Sequence, residues 1–458
     1  MKSVSYYVEK PAPLTEYVLR FMFSTLGVSA KQVTYGMHCD IYYGNNPWER
    51  CEVIIQRNQH DTLWDELVRK GMEGLIESHI DFDIVNAVGS FLTDAVNMEK
   101  EYAAYDQHER LKFETSFQKK NGIEKIPVVN LYVRLFEKVL EETLGRHTLP
   151  LWPNGKKYAI ALSHDVDFPD KYAFAKNLGF LNQKSIMQIL KDFKTFLNEN
   201  RKRITDKNRE NYWLFEDIIE HEERFGFKST FFFASVNMYD KWGTRFDVAY
   251  NIRWRKFRNI INTLRNHGFE IGLHASYNAF MDAYRFRYEK ERLERVAQSE
   301  IRGLRHHYWH MGKNVAETCK KHEEAGFCYD TSVAFNELGF RRSVALPYHP
   351  WHAGLERSIN VLQLPTFCMD TGIIESPERW RNGVKELIKV TKTIKLLGGM
   401  GAVDWHVRTS LPERNEFSYL GKIYIKFLKY LSHDKDAWVT TLCEVERWIK
   451  SRSTDKPT

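Results

Sequence analysis

The 458-residue sequence contains only six cysteines, Cys39, Cys51, Cys319, Cys328, Cys368 and Cys443, and no two of them form a C-x-x-C pair. That spacing speaks against a structural zinc site, and six thiols are too sparse for a disulfide framework, so reduced thiols are expected. Long apolar runs are also missing. None approaches the ~20 residues needed to span a bilayer, and the opening MKSVSYYVEK lacks the apolar stretch of a secretory signal. The expectation is a cytoplasmic protein without a membrane span. No G-x-G-x-x-G follows a strand-like run, which weighs against dinucleotide binding. There is no internal repeat and no low-complexity segment. Neither sign of charge dominates: 67 basic against 60 acidic residues give +7. This mild excess is compatible with acidic glycans or nucleotide-linked sugars but is no nucleic-acid footprint. The basic run Arg201-Lys202-Arg203, with Lys207 and Arg209, reads as a solvated helix end or loop.

What remains is the profile of a soluble globular protein, 43% hydrophobic and 28% charged, long enough for two or three domains at roughly 100–200 residues each. Aromatic residues reach 14%; ring faces stack on sugar C–H groups, although most rings belong in cores. Residues 1–150 read as a small α/β domain of unassigned role, with helical spacing over 14–26, a turn cluster at 42–47, a strand over 53–56, and helices over 81–96 and 128–144. Its Tyr35, Tyr42, Tyr43 and Trp48 could contact substrate, but packing of that domain is the expectation. Leu149-Pro150-Leu151-Trp152-Pro153-Asn154-Gly155 then breaks the pattern and marks a domain boundary.

From 156 to about 450, strands and helices alternate. Strands are expected over 158–163, 227–234, 269–273, 360–364 and 401–404, with another unit starting at 327–330. Helices are expected over 211–225, 257–267, 289–300, 422–431 and 314–325, the last capped by Asn314 and closed by Gly326. Alternation implies parallel strands under helices, and polar chemistry just past strand ends suits an α/β barrel. The expected fold is an irregular (β/α) barrel behind a smaller N-terminal α/β domain; an open doubly wound sheet fits the periodicity nearly as well.

Four short stretches carry chemistry. Asp165 and Asp167, two apart on an extended segment, share a face, so one can bind a cation while the other stays free as a base; a loop or capping pair is the plainer reading. His274 ends the run 270–273. Arg305-His306-His307-Tyr308-Trp309-His310 packs three histidines and an arginine into six residues, which otherwise reads as a hydrated loop. Val403-Asp404-Trp405-His406 ends another strand. Each is weak alone. Together they supply the composition of a catalytic zinc site with an open position.

At these residues the sequence resembles the polysaccharide deacetylase family, carbohydrate esterase family four. Ser163-His164-Asp165-Val166-Asp167 matches its D-x-D variant, Gly226–Phe232 its G-x-x-[AS]-T-F-F strand, Glu270-Ile271-Gly272-Leu273-His274 its E-I-G-x-H motif, and Arg305-His306-His307-Tyr308 its R-x-P-Y motif. Gly326–Ser332 matches G-F-x-Y-D-x-S, and Val403–His406 stands for L-x-H. The resemblance covers roughly 156–448. It implies a divalent metal, zinc first, held by Asp167 and His274; Asp165 as general base oriented by Arg305; and His406 as general acid. Asp370 and Asp404 are candidates to raise the His406 pKa by nearby negative charge. Tyr277, Tyr308, Asp370 and Trp405 become candidate substrate contacts, and Trp213, Trp309, Trp351 and Trp405 candidates to line a glycan groove. Two departures stand out: Asn278, whose amide oxygen binds zinc less well than imidazole, occupies the place of the family's second histidine, and His307 that of its proline, so His307 is expected to supply the third ligand in place of Asn278. His306 and His310 are the alternatives. The implied activity is removal of an N-acetyl or other acyl group from a surface-polysaccharide sugar or its precursor. Competing readings are a cyclic-amide hydrolase on the same fold, a non-catalytic sugar-binding module, and an assembly protein of polysaccharide synthesis.

Overall fold

The computed structural model describes residues 3–57, 80, 82–99, 102–170 and 212–454. The basic run at 201–209 lies outside them, as do Asp81 and Asn211, the starts of two expected helices. Among the described residues no helix is long and apolar enough to cross a membrane.

The N-terminal part is built on a parallel sheet of β1 (Val4–Val8), β2 (Ala30–Gln32), β3 (Cys39–Tyr43) and β4 (Cys51–Ile55), in the order β2-β1-β3-β4. Tyr42 and Tyr43, expected in a turn, are the last residues of β3 and pair with β1 and β4; the turn starts only at Gly44. Helices Pro13–Thr25, Ile84–Leu92 and Val128–Lys138 pack on this sheet. The second helix is shorter than expected because Asp83 caps it, accepting from the Asn86 amide. The third passes into a π-turn at Val139–Thr143.

All but two of the remaining strands form one curled parallel sheet. Its members are β5 (Tyr158–Val166), β6 (Thr230–Phe233), β7 (Glu270–Ala275), β8 (Gly303–His306), β9 (Tyr329–Asp330), β12 (Leu362–Gln363), β13 (Thr366–Met369), β14 (Met400–Asp404) and β15 (Ala437–Thr440). A small hairpin, β10 (Trp351–His352) and β11 (Arg357–Ser358), lies apart. The order is β12-β9-β8-β7-β6-β5-β14-β13, with β15 also on β5. The two ends of that path are consecutive in the chain, separated only by Leu364 and Pro365. One bent segment thus pairs with β9 at its start and β14 at its end, and Thr331 and Thr366 hydrogen-bond across the bend. The expected irregular barrel is this curled sheet, with helices on its outer face.

Strand β5 is buried at all nine positions, which only a strand covered on both sides requires. Expected strands and helices recur with shifted ends; helix 289–300, for instance, starts at Ala283, where Asp282 caps it. Asn314 does cap Val315–Glu324, and Gly326 takes a positive φ after it. Several elements were not anticipated, among them β1, β2, β3, β8, β13, β15, helix Trp380–Leu396 and helix Leu442–Thr454.

Candidate active site

The chemistry-bearing side chains collect at the C-terminal ends of β5, β7, β8, β13 and β14, where parallel barrels open their loops. Alternation along β5 sends Ser163 and Asp165 to the inside and His164 to the helices. Arg305, from β8, is fully buried; it donates to Asp165 Oδ1 at 2.9 Å and to Ser163 Oγ at 2.7 Å, and lies over the Phe232 ring. Its Nη1 is also 3.1 Å from Asp404 Oδ1. Burial opposes the guanidinium charge, but Asp165 and Asp404 outweigh it and hold the group protonated. Burial and the charge of Asp165 push Asp404 well above the usual carboxylate range.

Beside this pair, Asp167, His274 and His307 bring one ligand atom each to within 4.8 Å of one another, all three residues buried. Asp167 Oδ1 is 3.0 Å from His274 Nε2 and 3.6 Å from His307 Nε2. Asp167 Oδ1 and His274 Nε2 are buried without a formed hydrogen bond. His274 Nδ1 faces the Arg305 carbonyl at 3.1 Å. A neutral ring donating there presents the Nε2 lone pair to the cluster, the arrangement that orients metal-binding histidines. Burial lowers His307 to about 4, so its ring is neutral at pH 7. Two orphaned buried atoms, a neutral imidazole and a carboxylate fit a divalent cation.

His406 follows β14. Its Nδ1 and backbone N–H face Asp370 at 3.0 and 2.9 Å, and its Nε2 lies 3.0 Å from Asp167 Oδ2. Burial disfavours the imidazolium, but Asp370 and Asp167 outweigh burial and hold it well above histidine's ordinary value. Arg408, which sequence reading did not single out, stands 3.9 Å from Asp167 Oδ2.

Other expected positions fall differently. Trp405 is fully buried, packed at a tilt against Tyr424 behind the sheet, with its indole N–H on the Thr409 carbonyl. Asp370 is equally buried and spends its oxygens on His406, Thr409 and the Thr371 amide. Neither presents surface to a glycan, so both are corrected from substrate contacts to internal supports. Trp351 packs at a tilt on Tyr17, Trp213 meets Phe215 and Phe257 edge-on, and Trp309 is buried against Arg305. Tyr277 is nearly buried, its hydroxyl 2.9 Å from His108 Nδ1. Tyr308 is 37% exposed, its ring 4.7 Å from that of His307. The 305–310 stretch is not a hydrated loop: all its residues but Tyr308 are buried. His306 Nε2 pairs with His322 Nε2 at 2.8 Å and His306 Nδ1 with the His310 carbonyl, while His310 Nδ1 reaches the Tyr277 carbonyl. Those bonds engage His306 and His310 away from the cluster. Asn278 begins the 3-10 turn Ala279–Met281. A cavity of about 920 Å³ lined by Trp152, Lys156, Lys157 and Gly398 sits at the opposite ends of the strands.

His164 was quoted in a motif without a role. Its Nδ1 is 2.8 Å from the Trp405 carbonyl and its Nε2 2.7 Å from Glu222 Oε1, which also accepts from Tyr424. This fully buried network fixes the backbone immediately before His406.

No protein-family model and no curated protein matches the chain. Among solved structures, one described as a polysaccharide deacetylase from Mycobacterium smegmatis aligns at 18% identity and TM-score 0.43, over 67% of this chain and 95% of that one. PuuE allantoinase aligns at 14% identity and TM-score 0.42, over 67% and 94%. A protein described as a polysaccharide deacetylase from Pseudomonas aeruginosa aligns at 14% and 0.41, over 68% and 96%.

Proposed function

We propose that the chain is a metal-dependent hydrolase that removes N-acetyl or related acyl groups from a sugar, with the chemistry of the polysaccharide deacetylases its motifs resemble. The observation that carries this reading is the convergence of Asp167 Oδ1, His274 Nε2 and His307 Nε2, two of them buried without a hydrogen bond, beside a separately anchored carboxylate. Asp167, His274 and His307 would hold the cation, which supplies a bound water of near-neutral pKa and polarises the acyl carbonyl. Arg305 occupies Asp165 Oδ1 and leaves Oδ2, 3.7 Å from His274 Nε2, to take the proton of the attacking water. His406, kept protonated by Asp370, delivers the Nε2 proton to the departing amine.

The test is metal analysis of chelator-free protein alongside acetate release from an N-acetylated hexosamine oligomer. About one zinc per chain is expected. Asp167→Ala, His274→Ala and His307→Ala should lose metal and turnover together, whereas Asn278→Ala should keep its metal. Asp165→Asn and His406→Ala should retain metal with turnover down about 10²–10⁴-fold. Wild-type protein that takes up no zinc even from excess would turn the assignment to a non-catalytic sugar-binding module.

A further inference from the structure

The N-terminal part reaches the mouth of this site. Residues Asp106–Arg110 form a hairpin tip closed by the Tyr105–Leu111 bridge and by the Asp106 amide donating to the Arg110 carbonyl. Arg110 is fixed at its base by Asp106, 2.7 Å away. From there its Nη1 donates to the Tyr308 carbonyl at 3.3 Å and to Asn336 Oδ1 at 3.1 Å. His108 is buried, with its ring 4.8 Å from Tyr308 and 5.4 Å from Phe246.

The backbone gives these contacts a purpose. Tyr308 and Trp309 both have left-handed φ, 58° and 54°, directly after His307. Two successive bulky residues in that region persist only where surrounding contacts force them. Arg110 supplies one such contact at Tyr308 itself. The result is an exposed tyrosine ring standing against a buried candidate ligand, backed by a histidine from another part of the chain.

Resting on the reading above, we propose that the Asp106–Arg110 hairpin is a working part of the site, in which His108 and Arg110 are positioning residues that hold Tyr308 as the platform for the apolar face of the substrate's sugar ring. The amphipathic tyrosine ring suits a ligand that offers C–H groups on one face and hydroxyls at its edge.

The experiment uses the full-length zinc-loaded protein with two substrates: an N-acetylated hexosamine oligomer, and a small aryl acetate that needs the metal but no sugar platform. His108→Ala and Arg110→Ala should each raise KM for the oligomer about 3–10-fold, with its kcat, the ester rate and the metal content little changed, and Tyr308→Ala should raise that KM at least as much. His108→Phe, which restores a ring, should recover most of the loss. The double variant His108→Ala/Tyr308→Ala should be no worse than Tyr308→Ala alone, since His108 acts through Tyr308. Calorimetric titration of the oligomer repeats this cycle without requiring turnover. Active wild type with an unchanged KM in His108→Ala, or additive effects in the double variant, overturns the inference and leaves the proposed function standing. Binding that follows the cycle without any turnover supports the platform and overturns the hydrolase. Wild type that neither binds nor hydrolyses overturns both.

Discussion

His164 shows how one residue can serve the site from the wrong face of its strand. It lies between the inward-facing Ser163 and Asp165, yet reaches outward to Glu222 and Tyr424, and its Nδ1 holds the carbonyl before His406. Glu222 Oε2 already lacks a partner. Replacing His164 by Phe preserves ring volume but strips a hydrogen bond from a buried carboxylate, which costs about 1–3 kcal/mol. The urea midpoint should fall accordingly and, under the proposed function, kcat should drop through the displaced His406 with metal content retained. An unchanged midpoint would show the network to be dispensable. At this scale the candidate cluster was legible because aspartates and histidines sat just past apolar strand-like runs. Trp405 and Asp370 were misplaced for a physical reason: Trp405, after β14, turns in against Tyr424, and Asp370, after β13, turns in against His406, and sequence spacing records neither direction. The depth of Arg305–His310 was equally hidden, because what makes those charges tolerable in a core is pairing across strands, to Asp165 from β5 and to His322 from a later helix.

Among the elements, the barrel interior depends on glycine in adjacent strands. A Cβ on Gly303 of β8 would lie 1.8 Å from Tyr329 Cζ, and one on Gly272 of β7 would lie 2.5 Å from the Phe232 ring. Tyr329 cannot swing aside, because it is fully buried and its hydroxyl donates to Glu270 Oε1 at 2.6 Å. Gly303→Ala should therefore cost about 1–3 kcal/mol or more through overpacking. A chemical denaturation curve would measure it, and a loss within a few tenths would mean that the strand shifts freely. Strands β5, β6, β7 and β14 were readable from short apolar runs ending in polar residues. Strand β8 was not, because its four residues are Gly303, Leu304, Arg305 and His306, with one large apolar side chain among them. Helix Trp380–Leu396 did carry a signal, with Gly383, Leu387, Val390 and Ile394 spaced 4, 3 and 4 apart and all buried; the helix's four lysines obscured it.

Across the whole molecule, the first 150 residues are bound to the rest by a buried ionic seam as well as by packing. The core around Val88, Phe91 and Tyr132 includes Val344, Leu346, Tyr348 and Leu397 from the barrel side. Asn130 exchanges two hydrogen bonds with the backbone of Ala345. Asp94 takes both guanidinium nitrogens of Arg341 at 2.7 Å and lies 3.9 Å from Arg342, which itself donates to the Leu92 carbonyl. None of this was readable, since partners some 250 positions apart leave no local pattern. Asp94 has a left-handed backbone, φ 67°, which asparagine also tolerates, so Asp94→Asn removes the charge without straining the turn. Two largely buried guanidiniums then lose their counter-ion, and the cost should be about 3–5 kcal/mol. Burial alone would raise the Asp94 carboxyl, but Arg341 and Arg342 outweigh it and hold it below the ordinary value. The native pKa thus lies below the unfolded one. The stabilisation is complete above the unfolded value of about 4 and drains away as the pH falls further, through the lowered native value. Thermal unfolding at pH 7 should show the variant much less stable, and the gap between variant and wild type should narrow progressively below about pH 4. A gap that stays constant down to pH 2 would mean that the seam stabilises through shape rather than charge. Because the same N-terminal part carries His108 and Arg110 to the site, loosening this seam should also raise KM for the sugar oligomer before the barrel itself unfolds.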